Sequence, residues 1–180
     1  MELIKQFVDL FLHLDRHLSE LIAQYGTWTY GILFLIVFCE TGLVVTPFLP
    51  GDSLLFAAGA FAGLGSLNPV LVFVILLSAS VLGDNTNYWV GRFIGPRAFS
   101  GNIRFLKQEY VHQTMQFFEK YGPRAIVLAR FVPIVRTFVT VVAGIGRMDR
   151  KRFFTWSAIG AVLWVFGLVL AGYFLGAAFP

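Results

Sequence analysis

Five ionisable residues stand in stretches that are otherwise apolar: Glu40, Asp52, Asp84, Arg130 and Arg136. A charge at the centre of a bilayer costs on the order of 3 kcal/mol or more, so each needs a partner, a cavity or a function. Arg130 and Arg136 flank Pro133, while Glu40 and Asp52 flank Pro50. A guanidinium forks onto a phosphate through two parallel hydrogen bonds, so two convergent arginines would hold an anionic headgroup. On an unbroken helix their spacing would not bring them to one face. The proline break is what permits convergence. A carboxylate in low dielectric favours its protonated form until an opposite charge approaches. Glu40 and Asp52 are therefore expected to carry protons, with Arg130 and Arg136 either their partners or the substrate's. The alternative is a set of ion pairs that only hold the fold, and the two roles are compatible. Asp84 lies in Gly83-Asp84-Asn85-Thr86-Asn87-Tyr88, followed by Gly91-Arg92. Its expected role is helix packing, by hydrogen bonding to the broken segments.

The elements that must position these residues are those of a membrane protein. The chain has 180 residues, of which 57% are hydrophobic and 13% charged, against about 25% charged in a soluble domain. That excludes a disordered chain and argues against a soluble globule. One cysteine, Cys39, excludes an intramolecular disulfide framework. The net charge of +4 is a matter of placement. Ten of the fourteen basic residues fall in two stretches, Arg92 to Arg124 and Arg147 to Arg152. Basic clusters in short loops beside apolar segments mark a cytoplasmic side. With no reading motif accompanying them, nucleic acid is not an expected partner.

Residues 1–26 read as an amphipathic helix. Ile4, Phe7, Val8, Phe11, Leu14, Leu18, Leu21 and Ile22 recur at helical spacing, with charges opposite. Those charges run throughout, unlike the basic start and apolar core of a signal peptide. Residues 27–180 read as a single membrane domain. A spanning helix needs about 20 mainly apolar residues, and 69–91 and 153–178 qualify. Residues 103–121 form a second, cytoplasmic amphipathic segment. The stretch 27–64 is too long for one span and is interrupted by Pro47, Pro50 and Gly51. The stretch 123–146 has basic clusters at both ends and Pro133 near its middle, where a helix breaks. Each is expected to be a re-entrant helical hairpin, one entering from each side of the membrane. Phe48-Leu49-Pro50 parallels Phe131-Val132-Pro133, and Ala58-Gly59 parallels Ala143-Gly144. Opposed broken segments in corresponding halves point to a transporter site at the midplane. The pairs Gly59/Gly63, Gly91/Gly95 and Gly172/Gly176 are expected to permit close helix packing. The fold class is thus all-α, an integral membrane protein with an inverted repeat.

In order and spacing, Glu40-Thr41-Gly42, Phe48-Leu49-Pro50-Gly51-Asp52, Gly83-Asp84, Tyr88, Gly91-Arg92, Arg130-Phe131-Val132-Pro133, Val135-Arg136-Thr137 and Ala143-Gly144 form a specific set. The set resembles the DedA family of bacterial inner-membrane proteins, which carry the VTT or SNARE-associated domain. The resemblance covers about residues 28–175 and implies a proton-dependent lipid translocase acting on undecaprenyl phosphate or a phospholipid. It implies function for the acidic residues at Glu40 and Asp52 and the arginines at Arg130 and Arg136. Asp84, Tyr88, Arg92, Pro50 and Pro133 would support them. The family pattern continues past Gly176 into a further spanning helix, whereas the sequence here runs to Pro180.

The expected partners are membrane lipids and protons, with a homo-oligomer compatible, in the bacterial inner membrane. No cofactor, metal or enzymatic activity is expected, since no nucleophile–base pair or cofactor fingerprint is visible. A proton-coupled antiporter of small solutes or ions is the competing reading, in which the arginines only pair with the carboxylates.

Overall fold

A computed structural model describes residues 24–42, 51–95 and 108–178. Among these residues every regular element is helical. The helices are α1 (Trp28–Gly42), α2 (Gly51–Gly63), α3 (Pro69–Ile94), α4 (Gln108–Tyr121), α5 (Ala125–Ala129), α6 (Pro133–Ile145) and α7 (Arg150–Ala178), with a 3-10 turn at Gly122–Arg124. Most of the amphipathic segment 1–26 and the stretch around Pro47 and Pro50 lie outside the described residues.

Two helices, α3 with 26 residues and α7 with 29, are long and apolar enough to cross a membrane. At about 1.5 Å per residue each exceeds the roughly 30 Å of a bilayer's hydrocarbon core. Their ends follow from local chemistry. Asn68 Oδ1 accepts hydrogen bonds from the N–H groups of Val70 and Leu71 at 3.0 and 3.2 Å, with Pro69 at the first helical position. That is an N-cap followed by the proline a helix start tolerates best. The start of α7 departs from the expected Phe153. Asp149 Oδ2 accepts the Arg152 N–H at 3.1 Å and draws the basic residues Arg150 to Arg152 into the first turn. The end of α3 departs too, running to Ile94 and stopping at Gly95, whose φ of +52° a helix cannot continue. Gly95 therefore closes a helix, and no side chain is excluded by packing there.

The described chain divides into two compact units. The first comprises residues 24–37, 51–78 and 165–178. Its packing rests on small residues: a Cβ on Gly59 or Gly63 would collide with the backbone of Val169 or Tyr173, and one on Gly172 or Gly176 with that of Phe56 or Ala60. Without lipid-excluding hydrophobic gain, such close backbone contact is what joins helices in a bilayer. Leu54, Leu55, Ala58, Val72 and Leu76 fill its interior.

The second unit comprises residues 38–42, 79–95 and 108–164. Here the helical path breaks after Ala129, and Val132 adopts an extended conformation (φ −118°, ψ 104°) before Pro133 opens α6. The residue before a proline is pushed out of helical geometry, which fixes the break. Helix α6 is apolar on two sides. Val135, Val139 and Ala143 pack with Tyr88, Ile126, Ala129 and Phe153, while Phe138, Val141, Val142 and Ile145 pack with Ile94, Met115 and Phe118. The remaining side of α6 carries Arg136 and Thr140, one turn apart.

Candidate functional site

In the second unit α3 supplies a polar stripe. Ser80, Asp84, Asn87 and Tyr88 recur at three- and four-residue intervals, which puts them on one face. All four are buried. Asn87 Nδ2 donates to the carbonyl oxygen of Thr41 at 2.6 Å, satisfying one of the orphan carbonyls at the end of α1. Gly42 meets Gly83 there, where a Cβ on Gly42 would lie 3.2 Å from the Gly83 Cα. This contact sets the end of α1, and with it Glu40, against α3.

Arg130, at the break after α5, is 7% exposed. Its Nη2 forms an ion pair with Asp84 Oδ2, and its Nη1 donates to Ser80 Oγ at 3.0 Å. The Ser157 hydroxyl, from α7, donates to the same Asp84 oxygen. Gly160, one turn along α7, leaves room for this arginine, since a Cβ there would sit 2.9 Å from Arg130 Nε. A buried ion pair is stable only when its remaining donors and acceptors are satisfied, and Ser80 and Ser157 do that.

Arg136 is held differently. Its Nη2 lies 3.4 Å from Glu40 Oε1, and the two side chains are 15% and 9% exposed. The distance is beyond the usual range of a charge-assisted hydrogen bond, so this pair is looser than the first. The guanidinium carbon of Arg136 lies 4.1 Å from the ring centroid of Trp164, and that of Arg130 lies 5.6 Å from the same ring. One indole thus faces both arginines. An aromatic face attracts each cation and accommodates two like charges side by side.

The geometry brings together four residues singled out in the sequence, Glu40, Asp84, Arg130 and Arg136. Pro133 opens α6 between the two arginines. Tyr88 is fully buried, donates to the Met148 carbonyl at 2.6 Å, stacks on Phe153 and accepts from Arg92 Nη1 at 2.8 Å. Asp52 is exposed in the first turn of α2, in the first unit, and Pro50 lies outside the described residues. Sequence reasoning missed Ser80, Ser157, Gly160 and Trp164. Serine, glycine and tryptophan are ordinary in membrane helices, and only the spacing of Ser157, Gly160 and Trp164 on one face of α7 hinted at a common target. It also missed Thr140, 4% exposed, whose hydroxyl has no hydrogen-bond partner among the described residues.

The VTT domain model matches residues 49–174. The chain is 54% identical over 179 residues to Protein DedA of Escherichia coli K12, covering 98% of this chain and 82% of that protein. This chain belongs to the DedA family. It is also 34% identical over 177 residues to the inner membrane protein YqjA of Escherichia coli K12, covering 98% of this chain and 80% of that one. An uncharacterized membrane protein of Mycobacterium tuberculosis H37Rv is 48% identical over 154 residues, covering 81% of this chain and 65% of that protein. No solved structure matches. With its two apolar helices of spanning length, this DedA-family chain is a multi-pass protein of the bacterial inner membrane.

Proposed function

We propose that this DedA-family protein is a proton-coupled lipid translocase that moves a phosphate-bearing lipid, undecaprenyl phosphate or a phospholipid, across the inner membrane. The observation that carries the reading is the contrast between the two arginines. Arg130 is locked by Asp84 and Ser80, whereas Arg136 is partly buried, stands 3.4 Å from Glu40 and is seated on Trp164. A transport site needs a cation that can exchange its protein partner for the substrate, and Arg136 meets that requirement. The phosphate displaces Glu40 from Arg136 while Glu40 takes up a proton. Release reverses both steps. Arg130 adds positive charge to the site without leaving Asp84. Asp52 is the second proton carrier, serving the opposite half of the cycle.

In this reading residues 27–64 and 123–146 are opposed re-entrant hairpins of an inverted repeat. The break at Arg130–Val132 supports the second of them, because non-helical backbone at membrane depth is tolerated only beside protein or a water-filled cavity. The protein performs no covalent chemistry and needs no metal or cofactor.

Purified protein in vesicles should move fluorescent undecaprenyl phosphate between leaflets, and Arg136→Ala should abolish the movement. Undiminished transport by Arg136→Ala would sink the assignment. Proton flux stimulated by a small cationic solute, without lipid movement, would favour an antiporter instead.

A further inference from the structure

A second group of cations lies where α3 ends and α7 begins. Trp89 is 48% exposed, and two guanidiniums face its ring: Arg92 at 5.9 Å and Arg150 at 5.3 Å. Neither arginine is buried. Arg92 is nonetheless held in place, because its Nη1 donates to the hydroxyl of the buried Tyr88, which donates in turn to the Met148 carbonyl. Arg150 stands in the first turn of α7 with its guanidinium over the same ring. Asp149, next to Arg150 in the sequence, caps that helix. Two guanidinium forks on one indole, one of them held by Tyr88, suit a tetrahedral anion.

The surroundings distinguish a lipid from a soluble anion. Phe93 is 91% exposed and Phe154 49%, on the same helix ends as the two arginines. An apolar rim beside a cation pair suits a ligand with a charged head and a hydrocarbon tail. The basic clusters put these ends on the cytoplasmic side, where anionic lipids give the leaflet its negative surface potential. Trp89 would sit at the level of the headgroups, as interfacial tryptophans do.

We infer that Arg92, Trp89 and Arg150 form a binding site for the phosphate headgroup of an anionic lipid in the cytoplasmic leaflet, separate from the Arg136 site. The site does not depend on translocation. It would anchor the cytoplasmic ends of α3 and α7 to the lipid surface.

The test is a titration of the full-length protein in detergent with phosphatidylglycerol and, in parallel, phosphatidylcholine, with bound lipid read by native mass spectrometry. The wild type should prefer phosphatidylglycerol. Arg92→Gln/Arg150→Gln should weaken that binding roughly tenfold or more, given the worth of each basic residue at an anionic surface. The control Arg147→Gln/Arg152→Gln removes the same charge from the neighbouring basic stretch and should cost clearly less if position matters. Arg150→Gln alone, at an exposed first-turn position, should give an intermediate loss. Equal losses in the two double variants would reduce the site to diffuse attraction and overturn the inference. Displacement of the lipid by an equal concentration of inorganic phosphate, or equal retention of phosphatidylcholine, would overturn it as well.

Discussion

Replacing Arg130 with Gln should be among the most destabilising single changes at the site. The substitution removes the ion pair to Asp84, the 3.0 Å hydrogen bond to Ser80 and the contact with Trp164. Among the described residues, Asp84, 4% exposed, keeps the Ser157 hydroxyl as a hydrogen-bond donor, which does not replace the lost ion pair. Leaving one member of a buried pair uncompensated costs about 3–5 kcal/mol. For a chain of this size that corresponds to a fall in Tm of roughly 6–20 °C. Asp84→Asn should cost a similar amount, because it strands Arg130 beside a second cation. The double variant Asp84→Asn/Arg130→Gln strands neither charge. It should be more stable than either single variant, with a coupling energy on the order of 2–3 kcal/mol. Thermal unfolding of the four proteins in one detergent, followed by intrinsic fluorescence, measures the cycle. Additive losses would refute the view that these residues form a closed pair, and would leave Arg130 free to act as a substrate ligand.

Three further outcomes follow from the same contacts. Gly160→Ala should push the Arg130 side chain from its place, costing about 1–3 kcal/mol as overpacking does, and Asp84→Asn/Arg130→Gln should relieve part of that loss in the same thermal assay. Trp164→Phe should retain most transport because it keeps an aromatic face for Arg136, while Trp164→Leu should lose it at unchanged expression; equal rates would remove the ring from the mechanism. Gly91→Leu should prevent α3 from meeting α6, since even a Cβ there falls on the Val141 carbonyl. Loss of monodisperse protein on size-exclusion chromatography would register that failure.

The helical class and both long apolar helices could be read from composition and segment length, because a bilayer admits few alternatives. The cost of burying charge identified Glu40, Arg130, Arg136 and Asp84 without any knowledge of their partners. It could not pair them. Arg130 meets Asp84 and Arg136 meets Glu40 only through the break before Pro133 and the Thr41–Asn87 contact, which join segments far apart in the chain. Asp84 was expected to serve packing through hydrogen bonds to the broken segments. It does accept from Arg130 on the broken segment, and from Ser157 as well, so its partners lie on the break and on α7 alike. Trp164 escaped notice because an aromatic in an apolar helix carries no signal of its own; its role comes from the two guanidiniums that reach it. Helix ends were misplaced where a cap outweighed hydropathy. Asp149 extended α7 backwards into charged sequence, and the φ of Gly95 set the end of α3.

The central claim is that a lipid phosphate competes with Glu40 for Arg136. Binding of a phosphate-headgroup lipid to wild-type and Glu40→Gln protein across a pH series tests it most directly. Glutamine mimics the protonated carboxyl, so Glu40→Gln should bind the lipid more tightly than wild type at neutral pH and lose the strengthening that wild type shows as pH falls. Weaker binding by Glu40→Gln, with the pH dependence intact, would contradict the account.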